Sequence, residues 1–124
     1  MNDSFKDLVV WQRAVQMSLE IYKLTSSFPA SERFGLTNQL RRASVSVASN
    51  IAEGRGRHTQ GEFHHFLGMA QGSNYEVQTQ IVIARKLGIG GLERLNAAEN
   101  LSQEVGRMLS SFIAAVKTKP KAKS

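Results

Sequence analysis

Three histidines and a glutamate form the one cluster of side chains in this sequence whose types suit metal binding. They are His58, Glu62, His64 and His65. On a helix, Glu62 and His65 share a face, but the adjacent His64 and His65 point about 100° apart. The sequence has no His-Glu-x-x-His motif and no second Glu-x-x-His pair of the kind that a di-metal bundle needs. We therefore expect no metal site and no cofactor, and we interpret these histidines as exposed polar residues.

Covalent catalysis finds little support in the sequence. The chain has no cysteine, which excludes disulfides, thiolate metal sites and thiol catalysis. No hydroxyl side chain stands beside a residue that would activate it as a nucleophile. We expect a protein that is not an enzyme, and a histidine or carboxylate metal enzyme is the weakest alternative. No signal peptide and no membrane-length apolar segment is predicted, which fits a cytoplasmic protein.

Phosphate binding is the chemistry that the charge balance favours. The net charge is +6 and the sequence pI is about 10.1, values typical of proteins with polyanionic partners. No aromatic residue interleaves with the basic residues, so contact with the phosphates of RNA or DNA is favoured over base stacking. A basic surface that only maintains solubility is the alternative. The candidate residues for nucleic-acid binding are Arg41, Arg55, Arg57, His58, Arg85, Lys86, Lys117 and Lys119.

Apolar residues at helical spacing predict the elements that position these charges. Helices are expected at residues 7–26, 32–54, 60–87 and 92–116, followed by a flexible basic tail at 117–124. Long amphipathic helices with short turns predict an all-α, antiparallel up-down-up-down four-helix bundle in one domain, residues 1–116. The expected core positions of the third helix include Phe63, Phe66, Ala70, Val77, Ile81, Ala84 and Leu87, with Ser73 between Ala70 and Val77.

This topology divides the basic residues between the two ends of the bundle. Arg55 and Arg57 follow the second helix, whereas Arg85 and Lys86 end the third, so the two clusters are expected at opposite ends. The tail leaves the fourth helix at the end that carries Arg55 and Arg57. That end is therefore the favoured nucleic-acid candidate.

A polar row on the second helix suggests a structural ion pair. Asn38, Arg42, Ser46 and Asn50 recur every four residues. Gly68 and Gly72 on the third helix are predicted to pack closely against the small residues of the second. Arg42 and Glu76 would then meet as a partly buried pair that favours one register of packing.

The apolar residues exceed what one four-helix core needs. Trp11, Val15, Tyr22 and Leu109 are candidates for an exposed patch that mediates self-association. Trp11 and Tyr22 share their stripe with aliphatic residues, so we interpret them as core or interface anchors rather than as base-stacking platforms.

Three stretches resemble a family of bacterial four-helix-bundle proteins, some of which are encoded within intervening sequences of 23S ribosomal RNA genes. The resemblance extends to Val116, and its most specific motifs are an LxWQ pattern near the start and the runs QLRRASVSVASNIAEG and FLGMAQGSNYE. It implies a bundle that assembles into a ring, commonly a homopentamer, and it names no catalytic residue.

The same resemblance points to a class of partners. Related proteins, the accessory variability determinants of diversity-generating retroelements, work beside a reverse transcriptase and are thought to bind nucleic acid through a basic surface. The expected function is therefore a homo-oligomeric bundle that binds structured RNA or DNA. The alternative is a scaffold that docks a protein such as a reverse transcriptase, without direct contact with nucleic acid.

Overall fold

Four long helices make up most of the computed structural model, which describes residues 4–116. They are α1 (Val9–Thr25), α2 (Leu36–Arg55), α3 (Gln60–Leu87) and α4 (Leu92–Ala115), and short 3-10 helices at Phe5–Asp7 and Ala30–Glu32 precede α1 and α2. Residues 4–116 contain no β-strand, and the predicted all-α fold is confirmed. The predicted tail, with Lys117 and Lys119, lies outside the described residues.

The helices form an antiparallel four-helix bundle. Each helix packs against its neighbours in the sequence, and α4 closes the bundle by packing against α1. The diagonal pairs, α1 with α3 and α2 with α4, have no Cα atoms within 8 Å of each other. Short connections between successive helices make them run up, down, up and down, so the predicted topology is confirmed.

The core follows the apolar stripes at helical spacing. Met17 and Ile21 of α1, Leu40 and Val47 of α2, and Ile81 of α3 are fully buried. A helix with an apolar stripe of this kind is stabilised chiefly by burying that stripe against its neighbours. The stripe of α4 is formed by Leu95, Ala98, Ser102, Val105 and Leu109.

The start of α2 differs from the prediction. Residues 30–32 form a separate 3-10 turn after Pro29, and α2 begins at Leu36 rather than at residue 32. Glu32 caps the first turn of α2: its Oε1 accepts a hydrogen bond of 3.1 Å from the Leu36 backbone N–H and so satisfies one free donor of that turn.

Both ends of α3 agree with the prediction. At the start, Thr59 Oγ1 accepts a hydrogen bond of 3.1 Å from the Glu62 backbone N–H, which is a side-chain N-cap. At the end, Gly88 adopts the left-handed conformation with φ of 74°, as a helix-terminating glycine does.

The prediction that Gly68 and Gly72 give α3 a close approach to α2 is wrong. Both are exposed, and a Cβ placed on either would meet no atom within 4 Å. The close approach occurs at Gly54 of α2, where a Cβ would lie 2.6 Å from Phe66 Cβ. The position that allows the close approach is thus on the other helix, one residue before its end.

The core register of α3 also differs in part from the prediction. Asn74, not Ser73, is the fully buried residue between Ala70 and Val77. Leu67 is buried too, whereas Phe66 is half-buried and Leu87 is exposed. Sequence spacing placed the polar residue of this layer one position too early.

Candidate functional site

Arg55 and Arg57 lie at the carboxyl end of α2 against two aromatic rings of α3. The Arg55 guanidinium carbon is 5.7 Å from the Phe63 ring centroid, and that of Arg57 is 4.7 Å from the Phe66 centroid. Arg57 also donates a 2.7 Å bond to Glu53 Oε2. Contacts between a guanidinium and an aromatic face are attractive, and they hold both side chains at the turn between α2 and α3.

Arg55 is less neutralised than Arg57. It takes part in no ion pair among the described residues, and its Nε is buried without a hydrogen-bond partner. No carboxylate of the described residues lies within ion-pairing distance of Arg55, so its positive charge is not neutralised locally. The neighbouring His58 lies on the same turn and is exposed to solvent.

The end of α4 lies beside this turn. The Phe63 and Phe112 rings meet edge to face with centroids 5.4 Å apart, and α4 ends three residues later at Ala115. The chain beyond the described residues thus continues from the end of the bundle that carries Arg55 and Arg57. That chain contains Lys117, Lys119, Lys121 and Lys123.

Arg85 lies at the opposite end of the bundle, and α4 neutralises it. Its guanidinium donates to Glu99 Oε1 at 2.9 Å and to Asn96 Oδ1 at 3.1 Å. Lys86 is exposed beside it. The two basic clusters are thus separated as the topology predicts, and the cluster at the α3–α4 turn has one charge already paired.

Arg41 braces α1 against α2. Its Nε donates a 2.8 Å hydrogen bond to Thr25 Oγ1, and its guanidinium carbon lies 4.5 Å from the centroid of Tyr22. Both contacts come from α1. Arg41 therefore has a structural role in addition to its charge.

Arg42 and Glu76 share one cavity but do not form an ion pair. They line a polar cavity of about 310 Å³ between α2 and α3, together with Asn38 and Gln80. Both side chains are exposed, and no ion pair within 4.0 Å joins them among residues 4–116.

The histidines do not converge on a metal site. His58 and His65 are exposed, and the His65 ring packs edge to face with Phe66 at 5.7 Å. Among the described residues, no group of three histidine or carboxylate side chains has a geometry that would hold a metal ion.

A buried polar ladder joins α3 to α4. Asn74 Nδ2 donates to the Ser102 carbonyl at 2.9 Å, and Ser102 Oγ donates to Asn74 Oδ1 at 2.8 Å. One turn away, Gln71 Nε2 donates to the Gly106 carbonyl at 3.1 Å and to Ser110 Oγ at 2.9 Å. Sequence reasoning missed this ladder. Its signal was the row of Gln71, Asn74 and Gln78 at helical spacing opposite small residues of α4.

Serine pairs connect the other helices of the bundle. Ser18 of α1 donates to Ser44 of α2 at 3.0 Å, and the hydroxyls of Ser46 and Ser73 are 2.9 Å apart between α2 and α3. Short side chains that pair their hydroxyls let the helices approach without an unsatisfied polar group. The small residues of α2 therefore serve packing within the bundle.

The exposed apolar residues lie mainly on the outer faces of α1, α2 and α3. Tyr22 is 44% exposed, and Leu19 and Val45 are similarly accessible on the neighbouring face of α1 and α2. The prediction that Leu109 belongs to such a patch is wrong, because Leu109 is fully buried in the core. Trp11 and Val15 are half-buried. Within residues 4–116, no helix is long and apolar enough to cross a membrane.

Comparison with known proteins supports the fold and identifies the family. Comparison with curated protein sequences finds no significant match. A crystal structure of a protein of unknown function from the S23 ribosomal protein family of Bacteroides thetaiotaomicron is similar, with a TM-score of 0.79 and 21% identity over 92% of this chain and 99% of that one. At that identity the likeness concerns the fold. The model of the 23S rRNA-intervening sequence proteins matches residues 6–111, and the chain therefore belongs to this family.

Proposed function

We propose that this protein is a non-enzymatic, homo-oligomeric bundle that binds structured RNA or DNA through the end formed by Arg55, Arg57, His58 and the lysines of residues 117–124. The observation that carries the proposal is the position of Arg55 and Arg57. Their guanidinium groups are held on the Phe63 and Phe66 rings, at the end from which the lysine-rich chain continues. Guanidinium and ammonium cations then act together at one end of the bundle.

Phosphate contact is the mode of binding that these residues favour. A guanidinium fixed by an aromatic ring loses little conformational freedom when it meets a phosphate, and the ammonium groups of lysines contact the backbone of either nucleic acid as point charges. Such contacts release counterions, so binding weakens steeply as the salt concentration rises. They carry little information about base sequence.

Self-association strengthens weak contacts of this kind. The exposed side chains of Leu19, Tyr22 and Val45 provide an apolar face for a second copy of the chain. A ring, with a homopentamer favoured, repeats the Arg55 end around one axis. Several weak phosphate sites on one particle raise the overall affinity through effective concentration.

The test pairs a mass measurement with a binding measurement on nuclease-treated protein. We expect an oligomer by light scattering, and retention of labelled structured RNA and duplex DNA at low salt that declines steadily as salt rises. An oligomer that binds neither nucleic acid at low salt would contradict the proposed function and leave the fold intact.

The exposed apolar face also favours a second candidate function, the docking of a protein partner such as a reverse transcriptase. In that case polar substitutions at Leu19 or Val45 abolish capture of the partner, whereas substitutions at Arg55 and Arg57 leave it unchanged. If nucleic acid is the ligand, substitutions at Arg55 and Arg57 abolish its retention, whereas those at Leu19 or Val45 only weaken it through loss of the oligomer. The comparison therefore separates the two functions.

A further inference from the structure

A groove of about 490 Å³ runs along the outer surface between α3 and α4. Tyr75 and Gln78 line it from α3, and Gln103, Gly106 and Arg107 line it from α4. It does not contain Arg55 or Arg57 and lies along the side of the bundle rather than at its end. Its residues come from two stretches about thirty positions apart in the sequence, so no local sequence motif predicts the groove.

Three amide side chains converge at Gly106, which lines this groove. A Cβ placed on Gly106 would lie 3.2 Å from Asn74 Nδ2, 3.5 Å from Gln78 Nε2 and 3.8 Å from Gln71 Oε1. Asn74 is fully buried and does not reach the groove, and Gln78 Nε2 donates one hydrogen to the Ser102 carbonyl at 3.4 Å. The floor therefore presents the second hydrogen of Gln78 Nε2 as a donor beside the Gln71 Oε1 acceptor. Such a mixed set matches the edge of a nucleobase, which also carries donors and acceptors side by side.

Gln71 holds an acceptor that the protein does not satisfy. The residue is only 8% exposed, and its Nε2 is fully used by the Gly106 carbonyl and Ser110 Oγ. Its Oε1 is buried without a hydrogen-bond partner. Buried polar atoms in folded proteins are nearly always paired, so an unpaired one at the base of a groove indicates a place where a ligand donor is favoured after a small movement of the amide.

An aromatic ring and a guanidinium flank this floor. Tyr75 is 56% exposed and lines the groove opposite Arg107, which forms no ion pair among the described residues. An exposed tyrosine is a stacking surface for any base, and an unpaired arginine is a partner for a phosphate. The expectation from sequence that no aromatic residue interleaves with the candidate basic residues is wrong at Arg55 and Arg57, which lie over the Phe63 and Phe66 rings. Arg107 was not among those candidates, and the fold places it on one groove with Tyr75.

We propose that the α3–α4 groove binds an unpaired nucleotide, with the base stacked on Tyr75, its edge on the amides of Gln71 and Gln78, and its phosphate at Arg107. This deepens the proposed function and rests on it, because it adds recognition of unpaired bases to phosphate contact at the Arg55 end. The same chemistry is offered by a free nucleotide and by a nucleotide in a single-stranded part of RNA. Both sources enter the test.

The two tyrosines of the chain provide a direct readout. In protein labelled with 3-fluorotyrosine, Tyr22 and Tyr75 give two fluorine resonances, which the Tyr22→Leu variant assigns. AMP, GMP, CMP and UMP are added in turn, then a short unstructured RNA, then the same RNA fully paired with its complement. We expect the Tyr75 resonance to move with a mononucleotide or with the single strand, and to stay in place with the duplex.

Variants test the groove separately from the Arg55 end. Tyr75→Leu should weaken binding of the single strand about tenfold or more, since stacking on an aromatic ring contributes about that factor per base. Gln78→Leu should weaken it about twofold to tenfold, because it removes one hydrogen bond to the base edge. Phe34→Leu is the matched control, because Phe34 is also exposed and also lies beside an arginine, and it should leave binding unchanged.

The outcomes distinguish the two proposals. A Tyr75 resonance that no nucleotide and no single strand moves overturns the groove proposal, and so does an equal response to duplex. If the duplex is still retained in a salt-dependent way, the proposed function stands without the groove. If a mononucleotide moves Tyr75 while structured RNA and duplex are not retained even at low salt, the groove stands and the Arg55 end does not.

Discussion

Asn74 and Ser102 exchange two hydrogen bonds across the interface of α3 and α4. Nδ2 of Asn74 donates to the Ser102 carbonyl, and Ser102 Oγ donates to Asn74 Oδ1, at 2.9 and 2.8 Å. Both residues are fully buried. Because each side chain satisfies the other only in this register, the pair specifies how the two helices align.

Replacing Asn74 with alanine should lower the free energy of unfolding by about 1–3 kcal/mol, because it leaves the buried Ser102 hydroxyl without its acceptor and removes the shorter of two side-chain bonds to the Ser102 carbonyl. Urea denaturation at fixed protein concentration measures the change. Ser102→Ala is the second single variant. The double variant should lower the free energy of unfolding by less than the sum of the two single variants. Strictly additive costs would show that the two side chains are not coupled.

Gly54 and Gly72 should respond to alanine in opposite ways. A Cβ at Gly54 lies 2.6 Å from Phe66 Cβ, so Gly54→Ala must push α3 away and should destabilise the protein by about 1–3 kcal/mol. A Cβ at Gly72 meets nothing within 4 Å, and Gly72→Ala should stabilise the helix by about 0.5–1 kcal/mol. Thermal and urea unfolding measure the stability of both variants, and each variant is the control for the other. The same sign for both would contradict the assigned packing.

The helices and their order were predictable because apolar spacing is a local property of the chain. Val10, Ala14, Met17, Ile21 and Leu24 of α1 are all buried as their spacing predicts. The choice between Ser73 and Asn74 was not predictable in this way, since both are polar and adjacent. The choice depends on which one finds a partner on α4, and that partner lies 28 residues further along.

The state of the candidate site residues was harder to predict than the helices, because it depends on contacts between residues that are distant in the sequence. Separation of Arg55 from Arg85 follows from topology alone and was predicted. The neutralisation of Arg85 by Glu99, the use of Arg41 as a brace on Thr25 and the placement of Tyr75 beside Arg107 all require the packed bundle. Net charge therefore indicated a class of partner but not which arginines remain unpaired.

A charge on the outer face of α1 should disrupt self-association. Leu19 is exposed on the single chain, so Leu19→Glu should leave folding intact, yet it places a charge that is costly to bury in an interface. Sedimentation velocity should show a shift to a smaller species. Val82→Glu, a similarly exposed apolar position on α3, is the control and should keep the mass of the parent. An unchanged mass in Leu19→Glu would exclude this face from the oligomer interface.

Arg55 and Arg57 should carry more of the nucleic-acid affinity than Arg85 and Lys86. Replacing both with glutamine removes two cations held on aromatic rings, and each lost phosphate contact lowers the slope of log affinity against log salt by about 1. In an oligomer every copy loses the same contacts, so the loss of affinity at low salt should exceed that of a single site. The matched control is Arg85→Gln with Lys86→Gln, since Arg85 is already paired with Glu99. Fluorescence anisotropy of labelled duplex DNA across a salt series measures both double variants. If the two lose affinity and slope equally, binding depends on total charge rather than on the Arg55 end.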